Sequence, residues 1–298
     1  MPDPVLPGRL GLYASMFVYG LRGYGDFAAE HARFHRTFRE FAGDLRGRRV
    51  LDLGCGKTFW LTLLLASDGA DVIGVDTEVT DPRRSPGKYL RLMRTNGLER
   101  TLRTLTWDVL FARPYYRRLA TEYGAALRFD QVRMLQTDGS RLPVPDESLD
   151  WVVSHEVLEH VRDLTGVFRE LKRALKPDGR TYLYVHHFTS LSGGHHIAWK
   201  HPDTSPSRKV PPWDHLRGRQ FTDIPSWLNG VRAHEYRALI EAELEILEWR
   251  WLPREGEALL TPQIRAELAK YSEAELLHKG FIVIARRRAG DSIEASAG

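Results

Sequence analysis

The sequence Asp52-Leu-Gly54-Cys-Gly56 follows directly on a short apolar run and is the first segment whose residue types suggest chemistry. Two glycines this close let the backbone pass against a ligand, and the N–H groups of the next helix can face that ligand. A dinucleotide-binding turn would carry a third glycine where Phe59 stands, and no G-x-x-x-x-G-K-[ST] sequence occurs in the chain. The turn therefore argues against NAD, FAD and P-loop nucleotide binding.

Three successive apolar runs each carry an acidic residue near their ends. Asp52 can accept a hydrogen bond from an ammonium group, and Asp76 ends the second run, where it can accept the two hydroxyls of a ribose. Asp138, beside Gly139, follows the third run and can accept an adenine amine. Ligands of open α/β sheets bind at the carboxyl ends of the strands. An ammonium, a ribose and an adenine together describe S-adenosylmethionine.

Strand-like and helix-like segments alternate from Arg48 onward. Helices are predicted over Thr58–Ala66 and Leu164–Leu175, the second closed by a stop-and-turn signal at Lys176–Gly179. This alternation predicts an α/β fold with a doubly wound parallel sheet. The predicted strands are Arg49–Leu53, Asp71–Asp76, Val132–Gln136, Leu149–Ser154, Thr181–His187, Leu244–Trp251 and Gly280–Arg286.

Two stretches are much longer than a strand-to-strand crossover of about a dozen residues requires. We interpret them as insertions, residues 79–130 and 188–229, in a domain that spans residues 48–286. Long elaborations on a compact α/β core are typical of lids and substrate-binding loops. Both insertions are therefore expected beside the carboxyl ends of the strands, where the ligand binds.

The two ends of the chain are predicted to lie outside that domain. Residues 1–47 are expected to form an N-terminal helical cover, in which Phe34, Phe38 and Phe41 recur at helical spacing. Packing is the default interpretation of these aromatics, and a cover over a ligand pocket is the alternative. Residues 287–298 are small and polar and are predicted to be a flexible tail.

Composition excludes several protein classes. The chain of 298 residues is 42% hydrophobic and 28% charged, as expected for a globular protein, and has no run near the about 20 apolar residues of a membrane span. The single Cys55 excludes a disulfide framework and a cysteine-based metal site, and it fits a cytoplasmic location. The net charge is +4, but eleven basic and five acidic residues lie between Asp81 and Asp130. That excess indicates either a solvated basic surface or an anionic partner.

Four motifs in order resemble the class I S-adenosylmethionine-dependent methyltransferases, of the type found in ubiquinone and menaquinone biosynthesis. They are Val50–Gly56, Val72–Asp76, Asp138–Asp150 with its Leu-Pro-x-Pro-Asp-x-Ser-Leu-Asp run, and Val153–His160 leading to Leu175–Gly179. Each motif alone is weak, whereas the four in this order and spacing are specific. The resemblance extends from about Arg48 to Val185.

This resemblance implies a Rossmann-like sheet of seven strands, mostly parallel with an antiparallel last strand. It assigns Gly54 and Gly56 to the cofactor turn, Asp76 to the ribose and Asp138 to the adenine, and it implies S-adenosylmethionine as the cofactor. The third glycine of the family's D-x-G-x-G-x-G pattern is Thr58 here, which is expected to cap the next helix.

Histidines supply the candidate catalytic groups. Methyl transfer to a hydroxyl needs a general base, and His is the usual one near neutral pH. His155 follows the fourth predicted strand and His186 ends the fifth, so these two are the candidate bases, with packing beside the cofactor as the alternative for His155. His160, in the Val-Leu-Glu-His motif at a helix start, is expected to be structural.

A metal is the second possibility that the histidines raise. His186 and His187 are followed by His195 and His196, but their spacing matches no standard zinc signature, and no residue is assigned to a metal. Mg²⁺ or Mn²⁺ stays open as a further cofactor, with ligands from Glu156 or Asp214, and it would polarise the hydroxyl that is methylated.

Several methyl acceptors are disfavoured by the sequence. Ser154-His-Glu-Val157 stands where amino-methylating DNA enzymes carry Asp/Asn-Pro-Pro-Tyr/Phe, and the only cysteine lies in the cofactor turn, not at a cytosine C5 nucleophile position. No RRM, KH or zinc-finger signature occurs, so nucleic acid is the weaker prediction. Pro211–Leu216 combines Trp213, Asp214 and His215, which is either a sugar-binding set or a core-packed turn.

The leading hypothesis is O-methylation of a hydroxyl on a small molecule, a sugar or a glycosylated metabolite, by in-line transfer with a His base. C- or N-methylation of a small molecule is the alternative enzyme. A non-catalytic methyltransferase-like module that binds an anionic partner is the alternative of another class, and Asp52, Asp76 and Asp138 together argue against it. The expected partner is a small-molecule or carbohydrate-containing substrate, with a homodimer left open.

Overall fold

The computed structural model describes residues 26–78, 85–137, 139–217 and 227–288. Seven strands form one sheet in the order β3-β2-β1-β4-β5-β7-β6. Strand β1 pairs in parallel with β2 and β4, and β2 pairs in parallel with β3. The last strands run antiparallel. The predicted α/β, Rossmann-like fold is therefore confirmed. The strands are β1 Arg49–Leu53, β2 Asp71–Asp76, β3 Arg133–Gln136, β4 Leu149–His155, β5 Leu175–His186, β6 Glu245–Trp251 and β7 Gly280–Arg286.

Helices occupy the connections between these strands. Residues 26–42 are helical and are called α1. The other helices are α2 Trp60–Ser67, α3 Pro86–Thr106, α4 Ala112–Tyr123, α5 Leu164–Ala174, α6 Ala233–Glu243, α7 Pro262–Glu267 and α8 Glu273–Leu277. A π-helical turn, Trp107–Phe111, joins α3 to α4.

Two local predictions were wrong. The segment Lys176–Gly179 ends the preceding helix, as predicted, but it belongs to β5 rather than to a turn. A Cβ on Gly179 would lie 2.7 Å from the carbonyl oxygen of Leu149, so the glycine permits close approach of two backbones. Thr58 does not cap α2, because the helix begins at Trp60 and its N-cap residue is Phe59, at φ 33°. The Thr58 carbonyl instead accepts the hydroxyl of Tyr116.

The described residues form two compact units. The larger contains residues 26–154, 166–182 and 286–288, and the smaller contains residues 155–165 and 183–285, in each case within the described ranges. In the larger unit, α1 packs through Phe34 and Phe38, which are 8% and 0% exposed. Both rings contact Tyr182 edge-on, at centroid distances of 5.6 and 5.2 Å. The packing interpretation of these aromatics is therefore confirmed.

The basic insertion forms α3, the π-helical turn and α4 in the larger unit. Part of its charge is neutralised internally, because Lys88 pairs with Asp108 at 2.8 Å and Arg100 pairs with Glu78. Gly97, at φ 82°, breaks the helical geometry of α3. Apolar side chains also face solvent along this segment: Leu90, Met93, Leu98, Leu102, Leu105, Val109 and Leu110. The surface is thus both basic and apolar, not purely polar as a solvated helix would be.

The described part of the second insertion has a core of its own in the smaller unit. Leu191, Trp199, Val210 and Trp213 are buried in one cluster with residues of α7 and α8. Trp199 and Trp213 supply the two largest side chains of that cluster, and Trp213 is fully buried. Burial of this extent stabilises the segment as a fixed part of the unit.

Within the described ranges, no helix combines the length and the apolar character that crossing a bilayer requires.

Candidate functional site

The Gly54–Gly56 turn lies at the end of β1 in the larger unit. Gly54 and Gly56 have φ values of 80° and 61°, in the left-handed region that glycine enters without strain. The N–H groups of Gly54 and Cys55 both donate to the carbonyl of Val75, at 2.8 and 3.0 Å, which ties the turn to β2. A Cβ on Gly56 would meet no atom of the described residues within 4 Å. The turn therefore leaves open space beside Gly56 that a ligand can approach closely.

Asp76 ends β2 and braces this turn. One carboxylate oxygen accepts the N–H of Gly56 at 2.9 Å, and the other accepts the N–H of Glu78 at 2.9 Å. A carboxylate offers about four acceptor positions, so Oδ2 can accept a further donor, and Oδ1 can do so once the Thr77 hydroxyl, which donates to it at 3.4 Å, rotates away. Asp76 is thus both a structural anchor of the turn and a group able to accept two hydroxyls.

Asp52 is buried beneath the turn. One of its oxygens accepts the N–H and the hydroxyl of Thr62 at 2.9 and 2.6 Å, which holds the first turn of α2 against β1. Burial raises the pKa of Asp52 to about 7, although the Thr62 hydrogen bonds act in the opposite direction. Gly74 makes this arrangement possible, because a Cβ there would lie 2.5 Å from the Thr62 hydroxyl. Sequence analysis did not single out Thr62 or Gly74.

The raised pKa of Asp52 predicts a specific pH dependence of stability. The folded pKa of about 7 exceeds the ordinary Asp value, so between about pH 4 and 7 the folded state retains a proton that the unfolded state has released. Stability contributed by this group is therefore lost as pH rises, at about 1 kcal/mol per pH unit. The variant Asp52→Asn carries no charge, and its stability relative to wild type should rise by about 2 kcal/mol from pH 5 to 7.

Urea unfolding of both ligand-free proteins at several pH values tests this expectation. A difference between them that stays constant from pH 5 to 8 would contradict it.

Asp138, the third predicted acid, lies outside the described residues. Its neighbour Thr137 donates its backbone N–H to the carbonyl of Asp76 at 2.9 Å, and Gly139 follows at φ 82°. The chain therefore leaves β3 directly beside the end of β2, and the adenine assignment of Asp138 stays a prediction.

A cavity of about 430 Å³ lies in the same unit, next to the residues that follow the glycine turn. Phe59, Tyr116 and Phe129 supply aromatic walls, and Arg113 and Arg117 supply cationic groups. Such a lining suits a small organic molecule with an aromatic or apolar body and an anionic substituent.

In the smaller unit, His155 ends β4 and Glu156 follows it. The His155 ring stacks on Tyr184, with centroids 4.5 Å apart. Glu156 has a φ of 55°, an uncommon value for a residue with a Cβ. Burial raises the pKa of Glu156, but the charges of His155 and Lys279 outweigh it and hold the pKa below its usual range. His155 thus has an ionised carboxylate beside it that would stabilise an imidazolium.

His186 is held by a buried hydrogen-bonded chain. The Ser192 hydroxyl donates to Glu255 at 2.7 Å and, having a single proton, accepts from His186 Nε2 at 2.8 Å. Neutral His186 then keeps a lone pair on Nδ1, which lies 3.8 Å from a Glu156 oxygen. Burial lowers the pKa of His186 well below its ordinary value, so the neutral form dominates. Sequence reasoning missed Ser192 and Glu255, because neither belongs to a motif.

The other histidines separate into two environments. His195 stacks on His186 at 4.7 Å, and the His160 ring lies 5.0 Å from that of His195. His187 instead points into the core, where it is fully buried and contacts Phe281. The ring of His196 accepts the backbone N–H of Ala198. Of the four histidines predicted to lie together, only His186 and His195 do so, and His160 lies beside them.

Trp213 does not present a face for sugar stacking. It is fully buried in the core of the smaller unit and donates its indole N–H to the carbonyl of Leu276 at 3.3 Å. His215 Nε2 hydrogen-bonds the carbonyl of Phe188 at 2.9 Å. Of the two interpretations of this segment, the core-packed turn is correct for Trp213.

This burial predicts that Trp213→Leu destabilises the protein by about 2 kcal/mol, since part of the ring's volume is left unfilled. The KM for any acceptor that is methylated should not change at temperatures where the variant is folded. Trp227→Leu is the matched control, because Trp227 is 46% exposed and its loss should cost little stability. An increased KM with unchanged stability would restore the sugar-binding interpretation.

Comparisons with known proteins agree with the motifs. The family described as a methyltransferase domain matches residues 27–250. A ubiquinone biosynthesis O-methyltransferase of Bordetella avium is 32% identical over 141 residues, covering 47% of this chain and 44% of that protein. A probable S-adenosylmethionine-dependent methyltransferase of Mycolicibacterium smegmatis is 29% identical, covering 60% and 52%.

The chain therefore spans about half the length of the curated relatives it matches. Among solved structures, an S-adenosylmethionine-dependent methyltransferase from Mesorhizobium loti aligns with 19% identity and a TM-score of 0.46, covering 85% of this chain and 96% of that one.

Proposed function

Because the chain belongs to the methyltransferase-domain family, we propose that it transfers a methyl group from S-adenosylmethionine to a hydroxyl of a small molecule. The observation that carries this proposal is the glycine turn braced by Asp76, with open space where Gly56 lacks a Cβ. That space lies at the carboxyl ends of parallel strands, where open α/β sheets bind their ligands.

The residues present fit this cofactor. Asp76 has acceptor capacity for the two ribose hydroxyls, and the backbone at Gly56 allows close approach. The ammonium-binding role expected of Asp52 stays a prediction, because Asp52 is buried beneath the turn and accepts hydrogen bonds from Thr62. Asp138 with Gly139 would receive the adenine. When bound, S-adenosylmethionine supplies an electrophilic methyl group on a sulfonium. The chain's own task is then to bind it, to orient the acceptor and to take up a proton.

Transfer to oxygen requires a base for the hydroxyl proton. His155 is our candidate, because an ionised carboxylate beside it, Glu156, stabilises the imidazolium that forms. His186 is the second candidate, since the Ser192 contact leaves its Nδ1 lone pair available. In this proposal the imidazole of His155 receives the proton as the acceptor oxygen attacks.

The acceptor is proposed to be a small molecule. A cavity of about 430 Å³ with aromatic and cationic walls supports a compact organic substrate with an anionic substituent. The similarity to a ubiquinone biosynthesis O-methyltransferase favours oxygen as the methylated atom. A sterol 24-C-methyltransferase of Pneumocystis carinii is 25% identical over 52% of this chain, so C-methylation stays the alternative. A carbohydrate-containing acceptor, a homodimer, added Mg²⁺ and a cytoplasmic location stay predictions.

The test is incubation of the full chain with methyl-deuterated S-adenosylmethionine and a panel of phenols, catechols, hydroxy acids and sugars. We expect a labelled methyl ether on at least one hydroxylated acceptor, detected by mass spectrometry. Label on carbon or nitrogen would support the alternative enzyme. Tight cofactor binding with no product from any acceptor would favour the non-catalytic module.

A further inference from the structure

The carboxylate of Glu159 is buried without the partners that a buried charge needs. The residue is 1% exposed, and it lies in a short 3₁₀ turn, Leu158–His160, in the smaller unit. The backbone N–H groups of Glu159 and His186 face the carboxylate, yet neither of its oxygens accepts a hydrogen bond of normal geometry among the described residues. Leaving a carboxylate buried and unpaired is costly, so such a group marks a place where a cation is expected.

Two imidazole nitrogens face the same place. His160 Nδ1 donates to the carbonyl of Trp227 at 2.9 Å, which fixes the tautomer and leaves the lone pair on Nε2. His195 Nε2 is buried, has no hydrogen-bond partner within the described ranges, and lies 4.0 Å from a Glu159 oxygen. Two imidazole nitrogens and one carboxylate therefore lie close together.

From this geometry we propose that Glu159, His160 and His195 bind a divalent transition-metal ion. One donor atom from each of the three side chains lies within 4.8 Å of the other two. An ion with bonds of about 2.1 Å holds neighbouring ligand atoms about 3–4 Å apart, so the three donors need to close by less than about 2 Å. These separations are too long for hydrogen bonds among the side chains themselves.

The surrounding contacts hold the ligands in place, as outer contacts do at metal sites. Asn229 donates its side-chain amide to the carbonyls of Leu158 and Val161, at 2.8 and 3.2 Å, and thereby clamps the turn that carries Glu159. His195 stacks on His186, and the hydrogen bond to Ser192 holds the His186 ring in place. These contacts hold the segments that carry the donors close to the proposed position of the ion.

The donor types select among ions. Imidazole nitrogen suits Zn²⁺, Co²⁺, Fe²⁺ and Mn²⁺, whereas Mg²⁺ prefers oxygen ligands in octahedral geometry. Two histidines and one glutamate form the donor set of catalytic zinc sites that keep a position open for a further ligand. Manganese or a later first-row ion therefore fits better than the Mg²⁺ considered from sequence, and Glu159 rather than Asp214 supplies the carboxylate.

An ion with an open position would bind an acceptor oxygen and favour loss of its proton. That use rests on the proposed methyl transfer, whereas binding of the ion does not. The two can therefore fail separately.

The test is titration of Mn²⁺, Co²⁺ and Zn²⁺ into the tag-free, chelator-treated full chain, by calorimetry and by Co²⁺ absorption. We expect one ion per chain, with Mg²⁺ binding at least tenfold more weakly than Mn²⁺. Glu159→Gln and His195→Ala should each weaken binding about 100-fold. His234→Ala is the matched control, because His234 is exposed on α6 and should leave affinity unchanged.

A second readout separates a ligand from a structural residue. Glu159→Gln keeps the size of the buried side chain and removes the carboxylate ligand, so the metal-free variant should fold with a melting temperature close to that of wild type. Added Mn²⁺ should raise the melting temperature of wild type but not of this variant. Absence of binding by folded wild type, or equal binding by wild type and both ligand variants, would overturn the proposal. Metal binding without methyl transfer would leave this site intact and count against the proposed function alone.

Discussion

Replacement of His155 by alanine is expected to lower kcat by about a thousandfold and to leave the affinity for S-adenosylmethionine unchanged. The imidazole is held against Tyr184 and has the ionised carboxylate of Glu156 beside it. Loss of the ring removes the group that takes the proton from the acceptor hydroxyl, but it removes nothing from the Gly54–Gly56 turn. The effect should therefore appear in turnover, measured under saturating cofactor.

Two further readouts distinguish a base from a packing residue. Added imidazole should partly restore turnover in His155→Ala, and the acidic limb of the pH–rate profile should be lost. His234→Ala serves as the control substitution on an exposed surface. Turnover close to that of wild type would remove His155 from the mechanism and transfer the role to His186.

Asp76→Ala is expected to weaken binding of S-adenosylhomocysteine by about 100-fold. Two hydrogen bonds from ribose hydroxyls to a carboxylate are each worth about 1.5–3 kcal/mol, so their joint loss accounts for at least this factor. The substitution also removes the acceptor of the Gly56 N–H and so loosens the turn that the cofactor must approach. Calorimetric titration measures the change directly.

The control for this variant lies on the same strand. Asp71 begins β2 at its opposite end, is exposed and forms ion pairs with Arg49 and Arg133. Asp71→Ala should leave the affinity for S-adenosylhomocysteine unchanged, since surface ion pairs contribute little and no ligand is expected there. Equal affinities for Asp76→Ala and wild type would show that Asp76 does not contact the ribose.

Much of the sheet could be predicted because its signals are local. The bounds of β1, β2 and β7 match the predicted runs, since each is a short apolar segment between turns. The Gly54–Gly56 turn was also predictable, because only glycine adopts its positive φ values without strain. The prediction of a turn at Lys176–Gly179 was wrong, because a Pro-Asp-Gly sequence marks a turn in most contexts. Here Gly179 lies inside β5, where its missing Cβ lets two backbones approach closely.

The grouping of Glu159, His160 and His195 could not be predicted, for a different reason. His160 and His195 are far apart in sequence, and nothing in their spacing indicates that their rings meet at 5.0 Å. The spacing rules for zinc sites describe ligands on one local motif, so they overlook donors that tertiary structure brings together. Trp213 is the opposite case. Its position beside Asp214 and His215 in the sequence predicts a sugar-binding surface, but the side chain is fully buried.

The most direct test of the account is calorimetric titration of S-adenosylmethionine and S-adenosylhomocysteine into the folded wild-type chain. We predict one site per chain for each ligand and competition between the two. A folded protein that binds neither ligand would contradict the assignment of the glycine turn and Asp76 to this cofactor, and with it the proposed methyl transfer.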